Sequence, residues 1–245
     1  MDFKDKRVLV TGGAVRIGKA ICETLARQGA TICIHYNRSY EPAVKLQDEL
    51  IELGVDAHVA EANLMTETAC NELMERAIAL MGGVDILINN ASVFNKQTLD
   101  EADMDCWLGE LWPNFFAPVQ LMRAFAAQGK PGKIVNLLDR RVTSLDTACV
   151  PYLVSKKALT DVTKMAAIHY APRISVNGVA PGAVLPPPGE GMNYIKDYAG
   201  HVPLEVQVSP EDIAESVRFV LANDSLTGQI IYVDGGQHLS MGNGS

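Results

Sequence analysis

The stretch Val8-Leu9-Val10-Thr11-Gly12-Gly13-Ala14-Val15-Arg16-Ile17-Gly18 decides how this chain is read. Three apolar residues make a short strand, a glycine pair turns it, and an amphipathic helix follows to about Gln28, where Gly29 stops it. Strand, glycine turn and helix in that order form the setting that a phosphate-binding turn requires. Glycine lets the backbone come close to a pyrophosphate, and the helix N-terminus offers unpaired N–H groups and the positive end of its dipole. A plain β–α turn would look similar, so the rest of the chain has to decide.

Moving outward, residues 31–36 read as a second strand ending in His35-Tyr36-Asn37-Arg38-Ser39. In such a sheet this end meets an adenosine ribose, and an acid there would select a 2′-hydroxyl. The chain has Arg38 and Ser39 instead, which suit a 2′-phosphate, with Arg16 as a second cation. That favours NADP(H) as the cofactor over the plainer reading of Arg38 as a solvated loop arginine. Residues 42–53 and 67–81 read as helices around a strand at 56–60, which closes on Asn63-Leu64. The fourth strand, residues 84–88, is apolar throughout, as buried parallel strands are, and opens into Asn89-Asn90-Ala91-Ser92-Val93-Phe94. The asparagines can bond the cofactor or brace neighbouring strands, and Phe94 can fill core or stack on a flat ring.

Residues 103–128 read as a long helix faulted by Pro113 and Pro118, with Asn114 beside the first fault. Freed carbonyls there could hold an ordered water; a surface asparagine in a kinked helix is the plainer reading. A fifth strand, residues 133–138, ends at Asp139, and a helix carrying Tyr152 and Lys156 follows. The sixth strand, 174–180, leads to Pro181-Gly182. Residues 183–208, with Pro186-Pro187-Pro188-Gly189, read as a lid over a site. A capped helix opens at Ser209, residues 229–233 make the last strand, and the tail 242–245 reads as mobile. Alternating strands and helices imply α/β architecture: a single doubly wound domain over residues 1–245, its parallel sheet covered on both faces.

Tyr152 and Lys156 lie four apart and share one helix face. An ammonium near a phenol favours its ionised form and should bring its pKa down towards neutrality, making a usable proton donor.

Composition narrows the classes. Of 245 residues, 48% are hydrophobic and 20% charged, an ordinary globular balance. The net charge of −8 argues against a nucleic-acid or acidic-membrane surface. Five cysteines, an odd number without Cys-x-x-Cys spacing, read as reduced buried thiols, and the histidines show no metal-ligand spacing. No apolar run has signal-peptide or membrane-spanning character, so a cytoplasmic protein is expected.

Thr11-Gly12 to Gly18, Asn89-Asn90-Ala91, Asn114, Tyr152/Lys156, Pro181-Gly182 and Val233-Asp234-Gly235-Gly236 stand in the order and spacing of a known family. Over essentially its whole length the chain resembles the short-chain dehydrogenases/reductases. The resemblance implies a Rossmann-type sheet of seven parallel strands, a nicotinamide cofactor and a homotetramer. It implies Tyr152 as general acid, Lys156 on the nicotinamide ribose and lowering the tyrosine pKa, and Asn114 holding a relay water. It adds Gly12, Ile17, Asn63, Leu64, Asn90, Ala91, Leu137, Pro181, Gly182, Val184 and Leu185 as cofactor contacts.

Four departures sharpen the picture. Arg16 replaces the family's third glycine, Asp139 its catalytic serine and Asn63 an aspartate, and Val184-Leu185 stand where a hydroxyl is expected. The first two, with His35-Tyr36-Asn37-Arg38-Ser39 and Asn90-Ala91-Ser92-Val93-Phe94, resemble the pteridine and dihydromonapterin reductase branch. That branch implies Arg16, Ser92, Phe94, Asp139 and Tyr152 as contacts to a pterin-like substrate, with Phe94 sandwiching the ring against the nicotinamide. A carboxyl group suits the nitrogen-rich edge of a pterin, where it accepts N–H bonds or, protonated, donates one. The reaction expected is hydride transfer from NADPH to a C=N carbon, the adjacent nitrogen gaining a proton through Tyr152 or Asp139. Reduction of a carbonyl such as a 3-oxoacyl thioester is the competing chemistry, and a non-catalytic NADP-binding sensor is a third reading. Asp139 could also simply pair with Arg140 or Arg141.

Overall fold

The structure, a computed structural model, describes residues 3–186 and 202–240. Among these residues seven strands form one parallel sheet in the order β3-β2-β1-β4-β5-β6-β7. They are β1 Arg7–Val10, β2 Thr31–Tyr36, β3 Ala57–Glu61, β4 Ile86–Asn89, β5 Gly132–Leu137, β6 Ile174–Pro181 and β7 Ile230–Val233. The helices are α1 Arg16–Ala26, α2 Tyr40–Glu52, α3 Glu67–Met81, α4 Met104–Leu111, α5 Ala117–Ala127 and α6 Val150–Tyr170. Pro210–Ala222 follows as α7 and the short turn Gln237–Ser240 as α8.

Side chains of a strand alternate between faces, and here both faces are apolar. Val8 and Val10 of β1 enter one core with Ile32, Ile34, Ile86 and Ile88, beneath α1, α2 and α7. Leu9, Cys33 and Leu87 enter the opposite core, beneath α3, α5 and α6. A buried leucine such as Leu9 contributes about 1.5–3 kcal/mol through its removal from water. The strand order reverses between β1 and β4, which opens a crevice at their carboxyl ends. That crevice gathers the glycine turn, Asn90 and Asp139.

The predicted boundaries shift by one to three residues. α2 starts at Tyr40 rather than Pro42, because proline is tolerated in a first turn where its missing N–H has no partner to lose. The expected faulted helix is α4 and α5 joined by a π-turn, Trp112–Phe116, in which the Ala117 N–H reaches back five residues to the Trp112 carbonyl. Most of the expected lid (its residues 187–201) and the tail 242–245 lie outside the described residues. No helix among the described residues is long and apolar enough to cross a membrane.

Candidate active site

The glycine turn is held by side chains from three strands. Gly12 adopts φ +60°, a left-handed conformation natural to glycine. A Cβ on Gly18 would run into the Gly12 carbonyl oxygen, so only glycine lets α1 start this close to the turn. The Asn90 amide donates to the carbonyls of Thr11 (2.8 Å) and Gly12 (3.0 Å), while the Thr11 hydroxyl accepts the N–H groups of Asn90 and Ala91. His35, 2% exposed, lies behind the turn: its Nδ1 accepts the Gly12 N–H at 3.0 Å and its Nε2 sits 3.1 Å from the Ala62 carbonyl. Those partners require the neutral tautomer protonated at Nε2. Burial drives the imidazole pKa down to about 4. Its place is therefore that of a brace, with both ring nitrogens committed to the backbone.

The donor set in front of this turn suits a dinucleotide's phosphates. The N-terminus of α1 has no side-chain cap and no acid in its first turn, an end that suits an anion. Arg16, at φ +55°, is a non-glycine residue in the left-handed region, a conformation that costs about 1–3 kcal/mol and clusters at functional sites. Its guanidinium donates to the Leu185 carbonyl at 3.3 Å, linking α1 to the segment after Pro181-Gly182 across the crevice. Asn37 and Arg38 are exposed at the end of β2, Ser39 is half-buried and Tyr36 buried. Beyond β3, Asn63 is exposed and Leu64 buried; Ile17 and Val184 pack into the core beneath α1.

Tyr152 enters from the first turn of α6, 6% exposed, and its hydroxyl donates to Asp139 Oδ2 at 2.8 Å. The other Asp139 oxygen accepts the Arg141 N–H at 2.7 Å, which aims the carboxylate at the phenol. Lys156 is buried one turn on, donates to the Leu137 carbonyl at 2.9 Å, and stands 5.9 Å from the tyrosine ring. The expectation of a depressed tyrosine pKa is corrected here. Burial, and then the adjacent Asp139 carboxylate, hold the phenol well above its ordinary value. The lysine is the group that shifts towards neutrality, lowered by burial to about 8, with Asp139 and Glu110 opposing.

Asn114 is fully buried in the π-turn. Its Oδ1 accepts from the Ser92 hydroxyl (2.8 Å) and the Val93 N–H (3.0 Å), and its Nδ2 donates to the Val93 carbonyl (3.0 Å) and Glu110 Oε2 (2.8 Å). The side chain is saturated, so any water at this helix fault must use main-chain carbonyls. Pro118, four residues on, has no N–H to offer the Asn114 carbonyl. Phe94, 37% exposed, meets the Tyr152 ring edge-on at 4.8 Å, and the Arg141 guanidinium lies 5.0 Å from its centroid. Phe94, Tyr152 and Asp139 thus converge, while the Ser92 hydroxyl turns to Asn114. The Arg141 main chain is one partner of Asp139, and the charges of both Arg140 and Arg141 also bear on its carboxylate. The Arg141 guanidinium lies by Phe94, 3.8 Å from the Asp146 carboxylate. Asn95 and Glu110 were not singled out in sequence; the four-residue spacing of Glu110 and Asn114 was the one available signal. Among the described residues no His, Cys, Asp and Glu cluster could hold a metal.

A doubly wound sheet with Tyr, Lys, Asn and Asp gathered at the carboxyl ends of its strands defines an oxidoreductase. The short chain dehydrogenase model matches residues 6–192, and the chain belongs to that family. Pteridine reductase 1 of Leishmania tarentolae is 31% identical, covering 95% of this chain and 96% of its own. The 3-oxoacyl-[acyl-carrier-protein] reductase FabG of Aquifex aeolicus is 33% identical over 96% and 98%. The crystal structure of FolM alternative dihydrofolate reductase 1 from Brucella canis, complexed with NADP, superposes with a TM-score of 0.88 at 35% identity, covering 98% of this chain and 96% of that one.

Proposed function

We propose that the protein is an NADPH-dependent reductase of pterin or dihydropterin rings, dihydrofolate included. The observation that carries the reading is the Tyr152–Asp139 hydrogen bond of 2.8 Å beside Phe94. A serine hydroxyl polarises a ketone oxygen; a carboxylate in its place matches the N–H edge of a pterin. Bound NADPH supplies the hydride. Tyr152 and Asp139 share one proton and pass it to the ring nitrogen beside the reduced carbon. Lys156 holds a positive charge beneath them, Phe94 provides a flat face for the ring, and Arg16 and Arg38 hold the cofactor phosphates. The pteridine reductase and FolM relatives support this substrate class. The same reading places a homotetramer in the cytoplasm, to which the exposed Val154, Met165 and Ile168 of α6 offer an apolar surface.

Similarity to FabG at 33% identity favours a second reading, reduction of a 3-oxoacyl thioester. Steady-state NADPH oxidation with dihydropterin, dihydrofolate, biopterin and a 3-oxoacyl thioester separates the two. Turnover on a pterin that falls at least 100-fold in Asp139→Ala is expected. Turnover on the thioester alone would move the protein to carbonyl reduction.

A further inference from the structure

The segment carrying Phe94 runs from Ala91 to Thr98 without regular secondary structure, so its polar groups find no ladder partners. Two side chains one helical turn apart supply them instead. Asn114 takes the hydroxyl of Ser92 and both main-chain groups of Val93. Glu110 takes the next residue but one: its Oε1 accepts the main-chain N–H and the side-chain amide of Asn95, each at 2.8 Å. Its Oε2 accepts the Asn114 amide at 2.8 Å. Phe94 is thereby fixed on both sides along the chain, by Val93 and by Asn95.

A carboxylate is needed for this, and an amide would fail. Three N–H donors converge on Glu110, which is 1% exposed. A glutamine could accept the Asn95 pair, but would turn its own NH₂ against the Asn114 NH₂, whose other hydrogen is committed to the Val93 carbonyl. Burying an anion costs several kcal/mol before its hydrogen bonds repay it, so fold stability alone would be served as well by an apolar residue.

We propose that Glu110 is a positioning residue: it locks the substrate-facing segment 92–95 to the helix turn of Asn114 and so sets the place of Phe94 over the reacting ring. The proposal rests on the reading of Phe94 as a substrate contact. It carries an electrostatic corollary, because the groups bearing on the Lys156 ammonium are Asp139 after β5, Glu110 from α4, and Tyr152 on its own helix. Glu110 and Asp139 are the two carboxylates that oppose the lowering of that lysine by burial.

The test compares the full-length protein with Glu110→Gln and with Asn95→Asp. The second variant sets a carboxylate against Glu110 from an exposed position, so it leaves the core untouched. Hydrogen exchange across residues 91–98 should quicken at least tenfold in both variants, while α6 stays protected. NADPH affinity, read by fluorescence titration, should stay within about twofold. With whichever substrate the wild type turns over, KM should rise at least tenfold, more than kcat falls. In Glu110→Gln the alkaline limb of kcat/KM should move to lower pH. Unchanged exchange at 91–98 overturns the clamp whatever the substrate proves to be. Quickened exchange with unchanged KM and pH profile overturns its role in positioning. A wild type that turns over no pterin refutes the substrate class alone, since the variants are then compared on the thioester or, failing turnover, by exchange.

Discussion

Tyr152 donates to Asp139, and neither group can be altered without stranding the other. In Tyr152→Phe the proton donor is gone while the crevice keeps its shape. Turnover should fall by about 10²–10⁴-fold with NADPH affinity unchanged, as steady-state rates and a binding titration would register. His35 makes a different kind of prediction. Unfolded, its imidazole binds a proton near pH 6.5; folded, it refuses one until about pH 4. Its contribution to stability is therefore complete above pH 6.5 and is lost as pH falls from there to about 4. The whole is worth about 3 kcal/mol. Thermal melts between pH 7 and 4.5 should show that loss, and His35→Gln should melt lower at pH 7 but with a shallower dependence on pH.

At the scale of elements, the turn before α1 is the most constrained. Gly18→Ala would set a methyl group on the Gly12 carbonyl, so the turn has to open; NADPH affinity should drop at least tenfold by titration while the sheet still folds by circular dichroism. Strand–turn–helix order was legible because apolar runs, glycines and caps are local signals: Thr66, Asp103 and Ser209 cap α3, α4 and α7 with their own side chains. The site was legible where residue type and spacing state a chemistry, as at Asp139 and Tyr152, while Phe94 was left open between core and ring contact until the family resemblance was weighed. It was illegible where the partner is distant in sequence and common in type. Nothing local in His35 says that it braces Gly12, and nothing in Glu110 says that residues 92–95 end on it. The tyrosine pKa was misread for a related reason: spacing reveals which side chains are neighbours, but burial, which outweighs the ammonium here, is a property of the assembled core.

For the molecule as a whole, the crevice at the reversal of strand order draws on β1, β2, β4 and β5 at once. A nucleotide bound there, as proposed, would bridge both halves of the sheet. At 100 times its Kd, NADPH should stabilise the fold by about 2.7 kcal/mol, raising Tm by about 5–10 °C. NADH at the same concentration should do much less, since Arg38 gains nothing from it; equal shifts would remove the 2′-phosphate from the account. The hydrogen bonds between 92–95 and α4 also bear on how such a protein can change its trade. Residues 92–95 are anchored by Glu110 and Asn114, whereas Ala91 before them is held by the Thr11 hydroxyl, so on the proposed reading the substrate-facing stretch is separable from the nucleotide half. It cannot be exchanged alone, because its anchor points travel on a helix more than ten residues downstream. Transplanting a new specificity into this scaffold therefore means moving loop and helix turn together as one graft.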